Sequence, residues 1–148
     1  MGKYGEKAKA LFGEGYNCAQ AVFAAFSDVT GIDFEKSVKL SSGFGGGMGR
    51  MREVCGAVSG MFMVLGAIDG YTSPTDNAVK MELYAKIQHL AGEFKAENGT
   101  IICRELLDGN VSSAPNPTER TPEFYKKRPC GEYVQIAADV VADYLGLN

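Results

Sequence analysis

The pattern of apolar and polar positions is helical along nearly the whole chain. Apolar residues recur at three- and four-residue steps, which is the spacing of one helix face, and the alternation typical of strands is absent. We therefore predict an all-α fold: a single compact bundle of five to seven helices that occupies residues 1–148 as one helical domain. The clearest predicted core faces are Tyr4, Ala8, Leu11 and Phe12; Val79, Leu83, Ile87, Leu90 and Phe94; and Val134, Ala137, Ala138, Val141 and Leu145.

Short polar residues that can accept hydrogen bonds from a first helical turn precede several of these segments. We predict that the longest helix opens at Ser73 and ends at Asn98, and that Thr100 caps a short helix over residues 101–108. Residues 110–122 hold three prolines and predict a loop. The predicted caps are Asn17, Asp33, Ser73 and Thr100.

Residues 54–68 form the longest uncharged run, fifteen residues. A membrane-spanning helix needs about 20 apolar residues, so this run predicts a buried central helix and no membrane insertion. Gly56 and Gly60 are poor helix formers that become tolerable where a neighbouring helix packs tightly against them. The N-terminal segment lacks the apolar region of a signal peptide, so we expect a cytoplasmic protein.

The composition is that of a globular protein and excludes some classes of function, but it does not indicate a particular one. The 148 residues are 45% hydrophobic and 22% charged, as in ordinary globular proteins, and the net charge of -3 argues against a nucleic-acid partner. Glycine is in excess, with a cluster over residues 43–49. That cluster is followed by no G-K-[ST] and preceded by no strand, so it does not predict a nucleotide site. We expect it to approach the backbone near Cys55, or to cover the thiols as a lid.

The four cysteines share one position in this prediction, the first turn of a helix. Unpaired N–H groups and the positive end of the helix dipole there favour a thiolate and lower the cysteine pKa. Each cysteine also heads an apolar stripe, so we expect the thiols to point inward and converge. Arg50 and Arg52 either stabilise a thiolate or bind an anion, unless they are simply solvated. The candidate catalytic residues are Cys18, Cys55, Cys103 and Cys130.

Three functions remain open at this point. The cysteines of a cytoplasmic protein can exchange thiols and disulfides with a redox partner protein or a small thiol. Alternatively, the same four cysteines could be ligands of an iron–sulfur cluster or of one zinc ion, since four thiolates suit either. The third alternative is a non-catalytic adaptor whose cysteines are small buried hydrophobes. No C-x-x-C occurs, so the fold must assemble any pair. We expect a structural role for His89, the one histidine, and not a role as a metal ligand.

An ordered motif of cysteines and glycines resembles a known family. Cys55-Gly-Ala-Val-Ser-Gly60 has the form C-G-A-x-x-G; Cys18 precedes it within Gly15-Tyr-Asn-Cys-Ala-Gln-Ala, and Cys103 and Cys130 follow it. This pattern resembles the C_GCAxxG_C_C family of redox-active proteins over nearly the whole chain. The resemblance implies redox chemistry at the four cysteines, although the family is named for its cysteines and not for an established reaction. Its bacterial and archaeal members are often encoded beside transporter genes, so the resemblance also implies a membrane transporter as a partner.

Overall fold

The computed structural model describes residues 2–109 and 111–148. Regular structure in these residues is helical, apart from one isolated antiparallel bridge between Val54 and Ile102. Six of the helices have seven residues or more and three have four to six, which confirms the predicted all-α class. The helices are α1 Lys3–Gly13, α2 Cys18–Ala24, α3 Ser27–Thr30, α4 Phe34–Ser41, α5 Gly56–Asp69, α6 Asn77–Asn98, α7 Cys103–Leu106, α8 Pro122–Lys127 and α9 Cys130–Tyr144, with a 3-10 turn at Ser42–Phe44.

Helix α5 is the buried central helix that the sequence predicts. It packs against α2, α6 and α9, and most of its first ten residues are inaccessible to solvent. Gly60 explains how closely α2 approaches: a Cβ at this position would lie 2.9 Å from the carbonyl oxygen of Ala19. In the part of the chain that the structure describes, no helix is long and apolar enough to cross a membrane.

The predicted apolar faces of α1 and α9 are buried, and the two helices pack against each other. The face of α6 is buried only at Leu90 and Phe94, whereas Val79 is 36% exposed. Helix length gives the reason. At 22 residues, α6 is longer than α5 and α9, which have 14 and 15 residues, so these neighbours cannot cover its whole length.

Two of the predicted caps act as expected. The side chain of Asn17 accepts a hydrogen bond from the backbone N–H of Gln20 at 2.9 Å, and the Gln20 side chain accepts one from the N–H of Asn17 at 3.0 Å. This reciprocal pair is a capping box, and it fixes the start of α2 at Cys18. Asp33 caps α4 through the N–H of Lys36.

The prediction that Ser73 caps the longest helix is wrong. Asp76 is the N-cap of α6 and accepts hydrogen bonds from the N–H groups of Ala78 and Val79. The Ser73 hydroxyl instead accepts from the N–H of Asp76 at 3.1 Å, in a turn that comes before the helix. Both residues are good caps, and the turn places Asp76 next to the first free N–H groups.

The predicted helix after Thr100 exists, but it begins later than predicted. The bridge between Val54 and Ile102 holds both segments extended, so α7 begins only at Cys103. The same bridge delays the central helix, which begins at Gly56 instead of Val54. Pairing between residues so distant in sequence leaves no local signal.

Candidate functional site

Each of the four cysteines stands at the start of a helix. Cys18, Cys103 and Cys130 are the first residues of α2, α7 and α9, and Cys55 is the N-cap of α5. All four are free thiols; Cys55 and Cys103 are buried, and Cys18 and Cys130 are partly exposed.

The structure brings all four cysteines to one cavity of about 680 Å³. The starts of α2, α5, α7 and α9 therefore point at a common space, and their free N–H groups make it electropositive. The glycine-rich loop, residues 43–49, forms one wall of this cavity. It approaches the start of α5 closely, since a Cβ at Gly56 would lie 3.0 Å from the carbonyl oxygen of Phe44. This is the close approach that the glycine cluster predicts.

Cys18 and Cys130 both line this cavity, and each thiol shifts the pKa of the other. The hydrogen bond from Cys18 lowers the pKa of Cys130 to about 7, and the positive charges of Arg128, Arg52 and Arg120 act in the same direction against the effect of burial. The pKa of Cys18 is raised well above its ordinary value by the same hydrogen bond and by burial. Of the two thiols, Cys130 therefore ionises more readily than an ordinary cysteine and Cys18 less readily.

Burial dominates at the other two cysteines. It raises the pKa of Cys55 to about 12, although the backbone N–H groups of Ala57 and Val58 oppose the shift. It also raises the pKa of Cys103, and there Arg52 opposes the shift with its Nη1 atom 3.8 Å from the sulfur. Standing at a helix start therefore does not lower the pKa by itself: the pKa is lowered only at Cys130, where Cys18 and nearby arginines act, and burial raises it at Cys55 and Cys103.

The loop that carries Arg50 and Arg52 has an unusual backbone. Five consecutive residues, 46–50, have positive φ, and so does Arg52. Three of these six are not glycines, namely Met48, Arg50 and Arg52, with φ between 61° and 69°. A left-handed conformation costs such residues roughly 1–2 kcal/mol each. Strain of this kind is retained mainly where it positions functional groups, and here it directs two arginines to the cavity.

Residues 111–121, the proline-rich loop, lie against these two arginines. Arg50 donates from Nε to the carbonyl oxygen of Ala114 at 2.7 Å and from Nη1 to the hydroxyl of Thr118 at 3.0 Å. Arg52 donates from Nε to the carbonyl oxygen of Ser112 at 3.0 Å. The expectation that these arginines act at the thiols holds for Arg52, which is 5% exposed and contacts Cys103.

Two further arginines of the cavity escaped the sequence prediction. Arg120 lies over the ring of Phe12, 4.2 Å from its centroid, and Arg128 lies over the ring of Phe124 at 5.3 Å. Arg128 stands two residues before Cys130, much as Arg52 stands three residues before Cys55, so this arginine could have been recognised from the sequence. Arg120 belongs to a loop and has no sequence signal.

The four-cysteine metal site stays a prediction. Within residues 2–109 and 111–148, no three His, Cys, Asp or Glu side chains are grouped so that they could hold a metal ion. His89 is exposed and does not line the cavity. Its Nε2 lies 3.4 Å from a carboxylate oxygen of Glu93, one turn along α6.

Comparisons with known proteins identify relatives of the chain. The chain is 26% identical to a protein of Archaeoglobus fulgidus described as "Uncharacterized protein", and the alignment covers 95% of this chain and 94% of that relative. No solved structure matches the chain. The family model described as "Putative redox-active protein (C_GCAxxG_C_C)" matches residues 16–144, a range that contains all four cysteines of the cavity. The chain therefore belongs to the C_GCAxxG_C_C family.

Proposed function

We propose that the protein is a thiol–disulfide redox protein in which Cys130 is the attacking thiolate and Cys18 the resolving thiol. The observation that carries this proposal is that both thiols line one cavity and interact there, which lowers the pKa of Cys130 and raises that of Cys18. Thiolates attack disulfides best when the pKa of the thiol lies near the ambient pH. A pKa of about 7 gives Cys130 this property in a neutral solution.

The reaction follows two exchange steps. The Cys130 thiolate attacks one sulfur of a disulfide; a mixed disulfide forms, and the other sulfur leaves as a thiolate. Cys18 then loses its proton and attacks the Cys130 sulfur, which releases the second thiolate and leaves a Cys18–Cys130 disulfide. Both released thiolates take protons from solvent or from Cys18. Two electrons have passed from the protein to the disulfide, and the reverse sequence oxidises two thiols.

The substrate of this reaction is the disulfide of a redox partner protein or of a small thiol. The mechanism starts from reduced cysteines, which is why we place the protein in the cytoplasm, where thiol-reducing systems operate. Cys55 and Cys103 contribute differently in this mechanism. Their raised pKa values keep them protonated at pH 7, so they do not compete with Cys130 for the disulfide.

Disulfide mapping tests the proposal. Reduced protein is oxidised with a mild disulfide, quenched in acid and digested, and the linked peptides are identified by mass spectrometry. We expect a Cys18–Cys130 link in the parent protein. In Cys18→Ser we expect a stable mixed disulfide on Cys130, because the resolving thiol is gone.

Cys103→Ser is the matched control and should still form the Cys18–Cys130 link, since it changes a cavity cysteine outside the pair. Two results would contradict the proposal. One is a preferred link that joins other cysteines. The other is a Cys18→Ser variant that accumulates no mixed disulfide at Cys130.

A further inference from the structure

The cavity concentrates positive charge in a protein whose net charge is -3. Four of the five arginines in the chain line it, together with the starts of four helices. Of the residues that the structure describes, no Asp, Glu or Lys lines the cavity. Charge of one sign in a cleft with apolar walls attracts ligands of the opposite sign. The cavity arginines are Arg50, Arg52, Arg120 and Arg128.

Among the described residues, no carboxylate neutralises the charges of these arginines. Within the described ranges, the ion pairs involve none of the four, and the hydrogen bonds of their side chains go to carbonyl oxygens, the hydroxyl of Thr118 and the sulfur of Cys103. The fifth arginine, Arg104, lies outside the cavity and pairs with Glu53 at 2.7 Å. Among the residues placed by the structure, the buried Nη2 of Arg52 has no hydrogen-bond partner.

From this charge we infer the substrate class, an inference that rests on the proposed redox function. We propose that the cavity binds a small disulfide that carries carboxylates, and that this anionic low-molecular-weight disulfide, not the disulfide of a folded protein, is reduced at Cys130. A volume of about 680 Å³ lies within the range of small-molecule sites, roughly 300–1,000 Å³. Arginine binds carboxylates with two parallel, charge-assisted hydrogen bonds.

Arg128 and Arg50 are the residues that would bind the carboxylates. Arg128 packs on the ring of Phe124, and its charge acts on Cys130, so a carboxylate bound there holds the rest of the disulfide near the attacking sulfur. Arg50 stands on the strained loop on another part of the wall. Burial and the charges of Arg52 and Arg128 lower the pKa of Arg50, so these cations repel one another. A bound dianion relieves that repulsion.

Equilibrium binding tests the inference apart from the chemistry. The probe is oxidised glutathione, a disulfide with several carboxylates, titrated by calorimetry into Cys130→Ser, in which the proposed exchange cannot start. Losing one charge-assisted contact weakens binding by roughly tenfold or more. We expect this loss in Cys130→Ser carrying Arg128→Gln, and also in Cys130→Ser carrying Arg50→Gln. Arg104→Gln in the same background is the matched control and should bind the probe as tightly as Cys130→Ser itself. Thermal melting of each variant shows that it is folded.

A kinetic comparison separates failure of this inference from failure of the redox function. Reduced parent protein is mixed with oxidised glutathione, with its carboxyl ester, or with uncharged hydroxyethyl disulfide. We expect the carboxylate-bearing disulfide to react at least tenfold faster than the other two, and this advantage to shrink as salt is added.

Equal rates with all three disulfides, or equal binding by the arginine variants and the Arg104→Gln control, would overturn the inference and leave the redox function standing. Tight binding of oxidised glutathione with no exchange at all would overturn the redox function, and with it the assignment of a disulfide as substrate. Exchange only with a protein disulfide would also overturn the inference.

Discussion

Gly47 lies directly against Cys103. A Cβ at Gly47 would stand 2.6 Å from the Cβ of Cys103 and 2.8 Å from the Cα of Arg52. The glycine-rich loop therefore packs directly against Cys103. Gly47 makes this contact in a left-handed conformation, with a φ of 69°. This contact links the unusual backbone of the loop to the geometry of the thiols.

We expect Gly47→Ala to be much more damaging than Gly49→Ala. Both glycines have positive φ, so both substitutions carry a backbone cost of roughly 1–2 kcal/mol. Only Gly47→Ala adds a clash, since the nearest atom to a Cβ at Gly49 is 3.8 Å away. Overpacking adds about 1–3 kcal/mol. Urea unfolding measures both losses, and equal losses would show that the contact with Cys103 yields freely.

Gly60→Ala should lower the free energy of unfolding by about 1–2 kcal/mol. The added Cβ would lie 2.9 Å from the carbonyl oxygen of Ala19. The cost of this overpacking exceeds the gain in helix propensity. Gly66→Ala in the same helix is the control. Nothing lies within 4 Å of a Cβ there, so it should raise the free energy by about 0.5–1 kcal/mol. Urea midpoints give the comparison; a rise for both variants would refute the close approach of α2 and α5.

The alkylation of Cys130 should follow pH with a midpoint near its pKa of about 7. Cys18→Ala removes the hydrogen bond that contributes most to this value, so its midpoint should move upward, whereas Cys18→Ser keeps a donor and should restore it in part. Rates of iodoacetamide labelling, read at Cys130 by mass spectrometry, measure the shift. An unchanged midpoint in Cys18→Ala would mean that the arginines alone set the pKa.

The same pKa has a consequence for stability. Because the pKa of Cys130 is lower in the folded protein than its ordinary value of 9.0, the thiolate stabilises the fold above pH 9, and this contribution is lost as the pH falls through 7. Cys130→Ala should show a weaker dependence of stability on pH between 7 and 9 than the parent. Denaturant midpoints across this window measure the difference, which should vanish if Cys130 titrates normally.

Cys55 should make the protein sensitive to alkali. Its pKa is about 12 in the folded protein against an ordinary 9.0, so the unfolded chain loses this proton first. Stability then falls as pH rises through this interval, by up to about 1.4 kcal/mol per pH unit for one such group. Cys55→Ala should show a shallower decline than the parent between pH 9 and 11, whatever its stability at pH 7. Parallel declines would contradict the buried, protonated thiol.

The features that could be predicted from the sequence are those that depend on neighbouring residues. The capping box at Asn17, the apolar face of α9 and the central helix α5 all follow from hydrogen bonds or periodicity within a few residues. The positions of Cys18 and Cys130 at helix starts follow in the same way. The errors at Thr100 and Val54 share one cause, a backbone bridge between segments far apart in the chain.

The sequence could not predict which of the four thiols has a lowered pKa. Local position makes the four cysteines equivalent, since each one stands at a helix N-terminus. Packing makes them different: Cys55 is desolvated, whereas Cys130 receives a hydrogen bond from Cys18 and the charge of three arginines, of which only Arg128 is near it in sequence. A pKa depends on the burial of a group and on the charges around it, and both are set by which distant segments the fold brings together.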